Sequence, residues 1–470
     1  MFKNINIFRP LLAVLILFIP LYPKFPLLSV KGTYVAIRLD DIVVALAISI
    51  WFIYQLKHRF PIFKQKITWL FLVYFVAIFV SFINAALIYQ TEAPKLLLLH
   101  LIRRFEYISL FFITLESVKS LYDFKLVYFF SLISAILVSI YGYGQKYFGF
   151  PVISTMNSEF SKGQLLQMNI WTRISATFAG HYDLAAYLSV ILIIILGVAL
   201  ITKNKTIKII SLLSWLPIYQ IFTLTASRVS TFAFLGGIVF TLFFLKKYWW
   251  IVPITGLVIF SIFNSTDLSQ RLLATVPALK NQFFINKKQE TNPIPTITII
   301  TPIPVTPIVT TIPVISTNIP TPTIIRHQQE PYPEVDADVG VARSGEIRFN
   351  AEWPRAITAF KRNILVGSGL GSITLATDND YLRNLGESGL FGFISFFIIN
   401  LYFILKTLPL LFKKDRTSYN HLSIIFLGGL LTTLANAIFI DVFEASKTAY
   451  LFWIMMALYY QSLNLKYDQK

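Results

Sequence analysis

The sequence predicts an all-α fold, a polytopic membrane helix bundle with about 12 transmembrane helices and one large extracytoplasmic loop. Two features of the composition favour this class. Hydrophobic residues make up 56% of the 470-residue chain, and charged residues make up only 14%. A soluble protein has roughly 25% charged residues, so this chain has too few to cover a water-facing surface. A soluble enzyme, a coiled coil and a mostly disordered chain are thereby excluded.

The third observation is the succession of apolar stretches. About 20 apolar residues cross a bilayer, and twelve candidate stretches follow one another along the chain. Nine belong to residues 1–264 and three to residues 386–470. The first follows Lys3 and Arg9 and precedes no small-residue cleavage site, so we expect it to remain as a membrane anchor. The stretches are residues 9–22, 40–56, 67–89, 96–116, 125–143, 182–202, 208–224, 229–245, 249–264, 386–407, 421–440 and 447–463.

The basic residues predict how these helices are oriented. The formal net charge is +18, and much of the excess lies in short loops, where positive charge marks the cytoplasmic side. With a cytoplasmic N-terminus, four basic clusters and the C-terminus all fall inside. We therefore expect a multi-pass protein of the cytoplasmic membrane, embedded in the lipid bilayer and without a nucleic-acid partner. The clusters are Lys57, Arg59, Lys64 and Lys66; Lys203, Lys205 and Lys208; Lys246 and Lys247; and Lys413, Lys414 and Arg416.

The same orientation leaves the long segment between the ninth and tenth stretches outside the membrane. Residues 265–342 include a run at 291–324 that consists almost only of Thr, Pro, Ile and Val. Prolines this dense suit neither a helix nor the inside of a sheet, so we expect an extended low-complexity tether. Its composition permits O-glycosylation, although an insertion tolerated in an outer loop is the simpler interpretation. Ordered structure is predicted to resume over residues 343–385.

Several kinds of chemistry have no support in the sequence. The chain has no cysteine, which excludes disulfides, thiolate nucleophiles and cysteine-bound metals. The HExxH, Walker A and GxSxG motifs do not occur, so we expect no metal site, no cofactor and no ATP hydrolysis. The five histidines are scattered as His58, His100, His181, His327 and His421.

Charged residues at membrane depth are costly and therefore mark candidate sites. Arg103, Arg104 and Glu106 are predicted in the outer half of the fourth helix. Arg103 and Glu106 are three residues apart and could pair on one helix face. A structural ion pair is the simpler interpretation, and contact between Arg103 and a substrate is the alternative.

A second polar group opens the sixth helix from the outer side. Arg173 and His181 lie there with Asp183, which could cap the helix N-terminus. His181 is either a hydrogen-bonded structural residue or a ligand contact, whereas Arg173 suits phosphate oxygens. Arg228 lies in the very short link between the seventh and eighth helices, with apolar residues on both sides. It is predicted at or below the outer interface of the membrane.

The third polar group belongs to the ordered part of the outer loop. If the run RFNAEWPR is helical, Arg348, Glu352 and Arg355 share one face. Pro354 would then either kink this helix or start a new one. The run GSGLGS that follows is predicted to be a flexible bend. It is no dinucleotide fingerprint, because no strand–turn–helix unit surrounds it.

Two acidic residues follow this bend and lead into the tenth apolar stretch. The order is Asp378, Asn379, Asp380 and Tyr381. Residues 378–380 suit turn and cap positions. The alternative is that one carboxylate faces a substrate as a general base.

Three patterns formed by these residues resemble the O-antigen ligase and O-antigen polymerase family of bacterial membrane proteins. The first is an arginine shortly before a T-F-x-x-x-x-x-x-A segment at a helix entrance, here Arg173 with TFAGHYDLA. The second is Ser227 with Arg228 after a helix. The third is an outer loop with Arg348, Trp353, a G-x-G-x-G bend and DNDYLRNLGESGLFG. The resemblance covers about residues 40–460, and the order and topology agree.

The resemblance implies a membrane-embedded, metal-independent glycosyltransferase. Such proteins take a sugar chain from an undecaprenyl-pyrophosphate carrier on the outer face of the membrane and pass it to an acceptor hydroxyl. The acceptor is a glycan, a lipid or a protein. Ligases of the family typically have a histidine, considered the catalytic base, where this chain has Asp378. That departure favours a polymerase or a divergent transferase over a ligase.

The same resemblance implies roles for individual residues. Arg173 and Arg228 would hold the pyrophosphate and lower the barrier electrostatically, and Asp378 would take the acceptor proton. These three residues are the predicted catalytic group. Further substrate contacts are expected from Arg348, Arg355, His181, Asp380, Tyr381 and Arg103.

Two other classes of function stay open. One is a transporter or anion channel, because the family label also covers proteins suggested to carry bicarbonate. Internal repeats, discontinuous helices and polar sites at mid-bilayer would favour it. The other is a structural scaffold for the assembly of a surface polymer. In that case, alanine at Arg173 or Arg228 would leave sugar transfer intact.

Overall fold

The computed structural model describes residues 6–23, 25–29, 36–89, 94–153, 165–166, 173–264, 347–373 and 377–465. These residues belong to one compact unit, formed by Met1–Ser269 and Gly345–Lys470. The predicted tether at 265–342 lies outside the described residues, as do the first residues of the predicted ordered segment 343–385.

The described part of the chain is about 80% helical with almost no sheet, which confirms the predicted all-α class. Two short antiparallel strand pairs accompany the helices, residues 26–29 with 36–38 and residues 152–153 with 165–166. The elements are α1 (Phe8–Leu21), β1 (Pro26–Ser29), β2 (Ala36–Arg38), α2 (Leu39–Lys57), α3 (Lys66–Ile83), a π-helical turn (Asn84–Tyr89), α4 (Pro94–Ser117), α5 (Leu121–Tyr147), β3 (Val152–Ile153), β4 (Leu165–Leu166), α6 (His181–Ile201), α7 (Lys205–Leu224), α8 (Arg228–Phe244), α9 (Ile251–Asn264), a second π-helical turn (Arg348–Glu352), α10 (Trp353–Arg362), α11 (Asp380–Phe412), α12 (Ser418–Asn436) and α13 (Ser446–Asn464).

Each of the twelve apolar stretches predicted from the sequence coincides with a helix. Within the described residues, six helices are long and apolar enough to cross a membrane. They are α2, α3 with its π-helical continuation, α5, α6, α7 and α11. The helices α1, α8 and α9 are apolar but shorter. These lengths and compositions are compatible with a membrane protein.

Helix α6 is the most deeply buried of these six helices. The buried share of its apolar 18-residue window is 83%, and the helix packs against α7, α8 and α12. A helix that is apolar on every side must be covered all round by other helices or by lipid. Its first residue is His181, which follows Gly180. The polar residues that precede α6 are therefore held at one end of a firmly packed helix.

Helix α11 is interrupted at Gly389, where φ is 63° and ψ is −166°. An interrupted helix leaves backbone groups that need other partners, and the loop before α11 supplies them. Backbone hydrogen bonds of 2.8–3.0 Å join residues 364–369 to residues 386–391. From α3, the Oγ of Ser81 donates to the carbonyl of Glu387 at 2.6 Å. The loop is thus attached to the start of α11 on both sides of the interruption.

The glycine-rich bend is a closely packed turn, so the prediction of a flexible bend was wrong. Gly367, Gly369 and Gly371 are buried, with φ values of 73°, 104° and 78°. A Cβ at Gly369 would overlap the Cβ of Ala85. Sequence reasoning recognised the conformational freedom of glycine but could not show which residues approach the bend.

Gly369→Ala should lower the free energy of unfolding by roughly 2–4 kcal/mol. Two costs add, a φ of 104° that L-residues rarely adopt and the overlap with Ala85. Thermal melting of the detergent-purified protein measures the effect. Gly256→Ala is the matched control, because nothing lies within 4 Å of the Cβ that it would add. Equal melting temperatures for the two variants would contradict this packing.

Candidate functional site

The segment before α6 holds Arg173 in place through residues of two other helices. Gln145 on α5 accepts the N–H of Ala176 at 2.8 Å and donates to the Ala176 carbonyl at 3.0 Å. These bonds hold Ala176 at a φ of 47°. The buried Lys447 at the start of α13 donates to the carbonyl of Thr177 at 2.7 Å. The backbone that follows Arg173 is therefore fixed.

Arg173 lies beside the first two residues of α6. Its Nη1 donates to the Nε2 of His181, and its guanidinium carbon lies 6.0 Å from the ring centroid of Tyr182. The N-cap of α6 is Gly180, which makes no side-chain cap bond, and Asp183 lies in the first turn. Gly180, and not Asp183, is therefore the N-cap residue, while the carboxylate of Asp183 in the first turn favours the helix N-terminus, as the sequence predicts.

Arg228 is the first residue of α8, directly after the cap residue Ser227. The link from α7 is as short as predicted, and the side chain of Arg228 is half-buried. Tyr182, Arg173 and Arg348 are its electrostatic neighbours. Arg228 is therefore brought to the same end of the helices as Arg173.

The segment between α9 and α11 adds an ion pair to this site. Arg348 donates from Nε and Nη2 to the Oδ2 of Asp378, at 3.0 and 2.7 Å. Tyr182 is an electrostatic neighbour of Arg348 as well. Tyr182 is thus a shared neighbour of Arg173, Arg228 and Arg348. We call these four residues with Asp378 the arginine site.

Burial and charge set the protonation of the loop carboxylates. Burial raises the pKa of Asp378, and the charge of Asp441 raises it further. The charge of Arg348 lowers this pKa, but the net result is a pKa above the ordinary value. Burial and the charge of Asp378 raise the pKa of Glu352 to about 7. Burial alone would lower the pKa of Arg348, but Asp378 and Tyr182 outweigh it and raise that pKa. Glu352 therefore titrates near neutral pH.

Glu352 and Trp353 each have a buried polar atom without a hydrogen-bond partner in the part of the chain that the structure describes. These atoms are the carboxylate Oε2 and the indole Nε1. A buried polar atom without a partner costs about 1–3 kcal/mol, so each of these two atoms suits a ligand group or a water molecule. The sequence marked Glu352 only as a member of a helix face.

Asp441 holds the backbone on both sides of Asp378. Its Oδ2 accepts the N–H of Thr377 at 2.9 Å, and its Oδ1 accepts the N–H of Asn379 at 3.1 Å. These bonds support Asp378 at a φ of 49°, which a non-glycine residue adopts only at some cost. Asn379 caps α11 by accepting the N–H of Leu382 at 2.9 Å. Asn379 is thus the cap residue, and Asp378 is left to pair with Arg348.

Asp441 belongs to a buried charge network that was not predicted. Arg383 lies 2.9 Å from Asp441 and 3.3 Å from Glu387. Arg104 pairs with Glu444 and lies 4.0 Å from Glu387. One signal was available, because Arg383 and Glu387 are four residues apart beside an apolar stretch. Their partners on other segments have no comparable signal.

Asp441→Ala should lower the free energy of unfolding by about 3 kcal/mol, because it removes one partner of a buried ion pair. It also removes both backbone bonds beside Asp378. Thermal melting measures the loss. Asp415→Ala removes an exposed carboxylate and should stay within about 0.5 kcal/mol of the wild type. If both variants melt alike, Asp441 does not support this loop.

The predicted pair between Arg103 and Glu106 was wrong. Arg103 Nη2 lies 3.8 Å from Asp41 Oδ2, and the Oε1 of Glu106 accepts the hydroxyl of Tyr450 at 2.5 Å. Both partners come from other helices, α2 and α13. No contact links Arg103 to the arginine site among the described residues.

The remaining predicted substrate contacts have partners outside the arginine site. Asp380 is buried, and its Oδ2 accepts the N–H of Phe443 at 3.1 Å. The hydroxyl of Tyr381 donates to the Leu434 carbonyl at 2.5 Å. Arg355 is half-buried on α10 and acts electrostatically on Glu352. Pro354 lies in the first turn of α10, so it starts a new helix, as one of the two predicted alternatives had it.

Comparison with known proteins does not assign this chain to a family. No protein-family model and no curated protein matches the chain. The arginine site itself is therefore the basis for a function. It combines three cationic groups, one phenol and one paired carboxylate at the end of the buried helix α6.

Proposed function

We propose that this protein is a membrane glycosyltransferase of the O-antigen ligase and polymerase kind. It transfers or polymerises an oligosaccharide from an undecaprenyl-pyrophosphate carrier onto an acceptor hydroxyl at the outer face of the cytoplasmic membrane. The observation that supports this most directly is the meeting of Arg173, Arg228 and Arg348 around Tyr182. These residues are far apart in the sequence, so only the fold brings them together.

A diphosphate fits the charge of this site. The guanidinium groups of Arg173, Arg228 and Arg348 repel one another, and an anionic ligand relieves that repulsion. Guanidinium groups bind phosphate oxygens through paired, charge-assisted hydrogen bonds. In a half-buried site water screens these charges weakly, so the interaction is stronger than in solution. Arg173 and Arg228 would thus stabilise the charge that develops as the diphosphate leaves.

The reaction also needs a proton acceptor. The acceptor oxygen attacks the anomeric carbon, the bond from that carbon to the phosphate oxygen breaks, and its electron pair leaves with undecaprenyl pyrophosphate. The hydroxyl proton passes to Asp378. Arg348 orients this carboxylate through Oδ2, while 31% of the side chain stays exposed. The raised pKa of Asp378 makes it a better base than an exposed aspartate.

The acceptor is best accommodated beside Glu352 and Trp353. A sugar hydroxyl is both a donor and an acceptor of hydrogen bonds. Such hydroxyls could donate to the Oε2 of Glu352 or accept from the Nε1 of Trp353, both of which are buried without a partner in the described structure. A glycan, a glycolipid and a glycosylated protein all offer such hydroxyls.

The topology that we propose has twelve spans, with both termini in the cytoplasm and the large loop outside. Helices α6 and α8 support it, because their two ends differ in charge pattern. Arg173 and Arg228 lie at their N-terminal ends, and the clusters at 203–208 and 246–247 follow their C-terminal ends. Under the positive-inside rule, the second pair of ends is cytoplasmic.

Reconstitution into lipid vesicles tests the proposed function. The protein is supplied with an undecaprenyl-pyrophosphate oligosaccharide and with glycan, lipid or protein acceptors, without ATP. We expect a transferred or elongated sugar chain and the release of undecaprenyl pyrophosphate. Absence of product with every acceptor class, from protein that melts cooperatively, would overturn the proposal.

A transporter is the second candidate, and one observation favours it. Helix α11 is interrupted at Gly389, close to the buried Arg383 and Glu387. Discontinuous helices near charged groups are typical of transporters. Bicarbonate uptake into the same vesicles, lost in Glu387→Gln, would favour transport. Sugar transfer without uptake would favour the transferase.

A further inference from the structure

Two of the basic clusters, about 170 residues apart in the sequence, meet at one pocket. This pocket lies at the C-terminal ends of α8 and α11. The pocket has a volume of about 390 Å³ and lies where the α8–α9 link meets the α11–α12 link. Lys246 lines it from the first link, and Lys414 and Arg416 line it from the second, against the single acid Asp415. The other lining residues are Leu245, Thr417 and His421.

Arg416 fastens the two links together. Its Nε donates to the carbonyl of Leu410 at 3.1 Å, and its terminal nitrogens donate to the carbonyls of Leu411 and Phe244. Carbonyls at the C-terminal end of a helix have no partner within their own helix. Arg416 therefore caps α8 and α11 at once. Lys246 and Lys414 are consequently held on two joined links.

Exposed aromatic residues indicate the depth of this pocket in a membrane. Tyr248, Trp249 and Trp250 follow Lys246 and Lys247 within the α8–α9 link, and Trp249 is 93% exposed. Tryptophan and tyrosine are enriched at the level of the lipid headgroups. Phe243 and Phe412, at the adjoining helix ends, are also exposed. A basic pocket thus lies beside an apolar surface that suits acyl chains.

We infer that this pocket binds the phosphate of an anionic phospholipid, with Lys246 and Lys414 contacting the headgroup. Basic pockets between membrane helices are suited to such headgroups. A free phosphate ion has the same charge chemistry, but it would gain nothing from Trp249 and Phe412. This inference goes beyond the proposed transferase and does not depend on it, because the pocket lies at the end of α8 opposite to Arg228.

The orientation of the helices in the membrane does not by itself explain why two basic clusters share one pocket. A positive-inside signal requires basic residues in the cytoplasmic loops, but it does not require them to converge. The cluster of Lys203, Lys205 and Lys208 follows α6 without lining this pocket. It therefore provides a matched control with the same kind of charge.

Thermal melting of the full chain in a neutral detergent tests the inference. The probes are phosphatidylglycerol, phosphatidylcholine with the same acyl chains, and inorganic phosphate alone. A ligand that binds only the folded state raises the melting temperature. We expect phosphatidylglycerol to raise that of the wild type by about 5 °C and the other two probes to have little effect. The shift should shrink as salt rises from about 50 mM to about 500 mM.

Two double variants locate the effect. Lys246→Ala with Lys414→Ala should abolish the shift with phosphatidylglycerol, whereas Lys203→Ala with Lys205→Ala should retain it. An equal shift in both double variants would overturn the pocket as the site. An equal shift with phosphatidylcholine would overturn the requirement for an anion, and an equal shift with inorganic phosphate would overturn the lipid as occupant.

Discussion

Arg228→Ala should lower the rate of sugar transfer by about 100- to 1,000-fold, the usual loss when one donor to a developing anion is removed. Arg228 is half-buried at the start of α8, with Arg173 and Arg348 as electrostatic neighbours. Because water screens charges weakly there, one guanidinium contributes more than it would in solution. Arg228→Lys keeps the charge without the planar fork, so it should recover only part of the rate.

Transfer in reconstituted vesicles at saturating acceptor provides the measurement. Lys361→Ala is the matched control, because Lys361 is an exposed base on α10, the helix that follows Arg348. It should transfer sugar at the wild-type rate. Melting curves show whether Arg228→Ala is folded. A folded Arg228→Ala with wild-type rates would contradict the role of this arginine and favour a scaffold.

Asp378→Asn should lower the rate by about 100- to 10,000-fold, the loss typical of removing a general base. The amide can still accept a hydrogen bond from Arg348 but cannot take up the proton. Glu352→Gln is the matched control, because it also replaces a carboxylate with its amide in the same loop. Because the pKa of Glu352 is raised to about 7, its carboxyl is mostly protonated at about pH 6. Glu352→Gln should therefore resemble the wild type at that pH.

The pH dependence of the KM should show the role of Glu352. As the pH rises through about 7, Glu352 loses its proton and adds a negative charge near Arg348. That charge repels the diphosphate, so the KM of the wild type for the donor should rise between about pH 6 and about pH 8. In Glu352→Gln the KM should stay flat. Steady-state kinetics over this range provide the measurement.

The opposite pattern would reassign the base. If Glu352→Gln lost transfer at about pH 6 while Asp378→Asn remained active, the proton would go to Glu352. Asp378 would then serve only to orient Arg348, with which it forms an ion pair.

The helices could be predicted because their causes are local. Apolar runs of the right length gave the positions of the helices other than α10, and every predicted stretch coincides with one. Cap residues such as Asn379, which bonds to a nearby N–H, are likewise set by neighbours in the sequence. The number of spans depends on the bilayer as well as on the chain, so it remains part of the proposal.

The partners within the arginine site could not be predicted, because they come from distant segments. Arg348 was expected on a helix face with Glu352, but its ion-pair partner is Asp378, and Tyr182 is its electrostatic neighbour. The Arg103–Glu106 pair failed for the same reason. Spacing along one helix gives its own face and cannot show that α2 supplies Asp41.

The basic loops show a similar limit. In the sequence Lys246 and Lys414 act as separate signals of orientation. Their shared pocket depends on Arg416, which bridges the ends of α8 and α11. A bridge of this kind leaves no periodic pattern in the sequence, because its acceptors are backbone carbonyls.

The central claim is that the arginine site holds the diphosphate of a lipid-linked sugar donor. The most direct test is a structure of the chain in lipid nanodiscs with undecaprenyl pyrophosphate bound. We predict that the diphosphate lies within about 3 Å of guanidinium nitrogens of Arg173 and Arg228. Density for the diphosphate at any other place, such as the pocket between Lys246 and Lys414, would contradict the account.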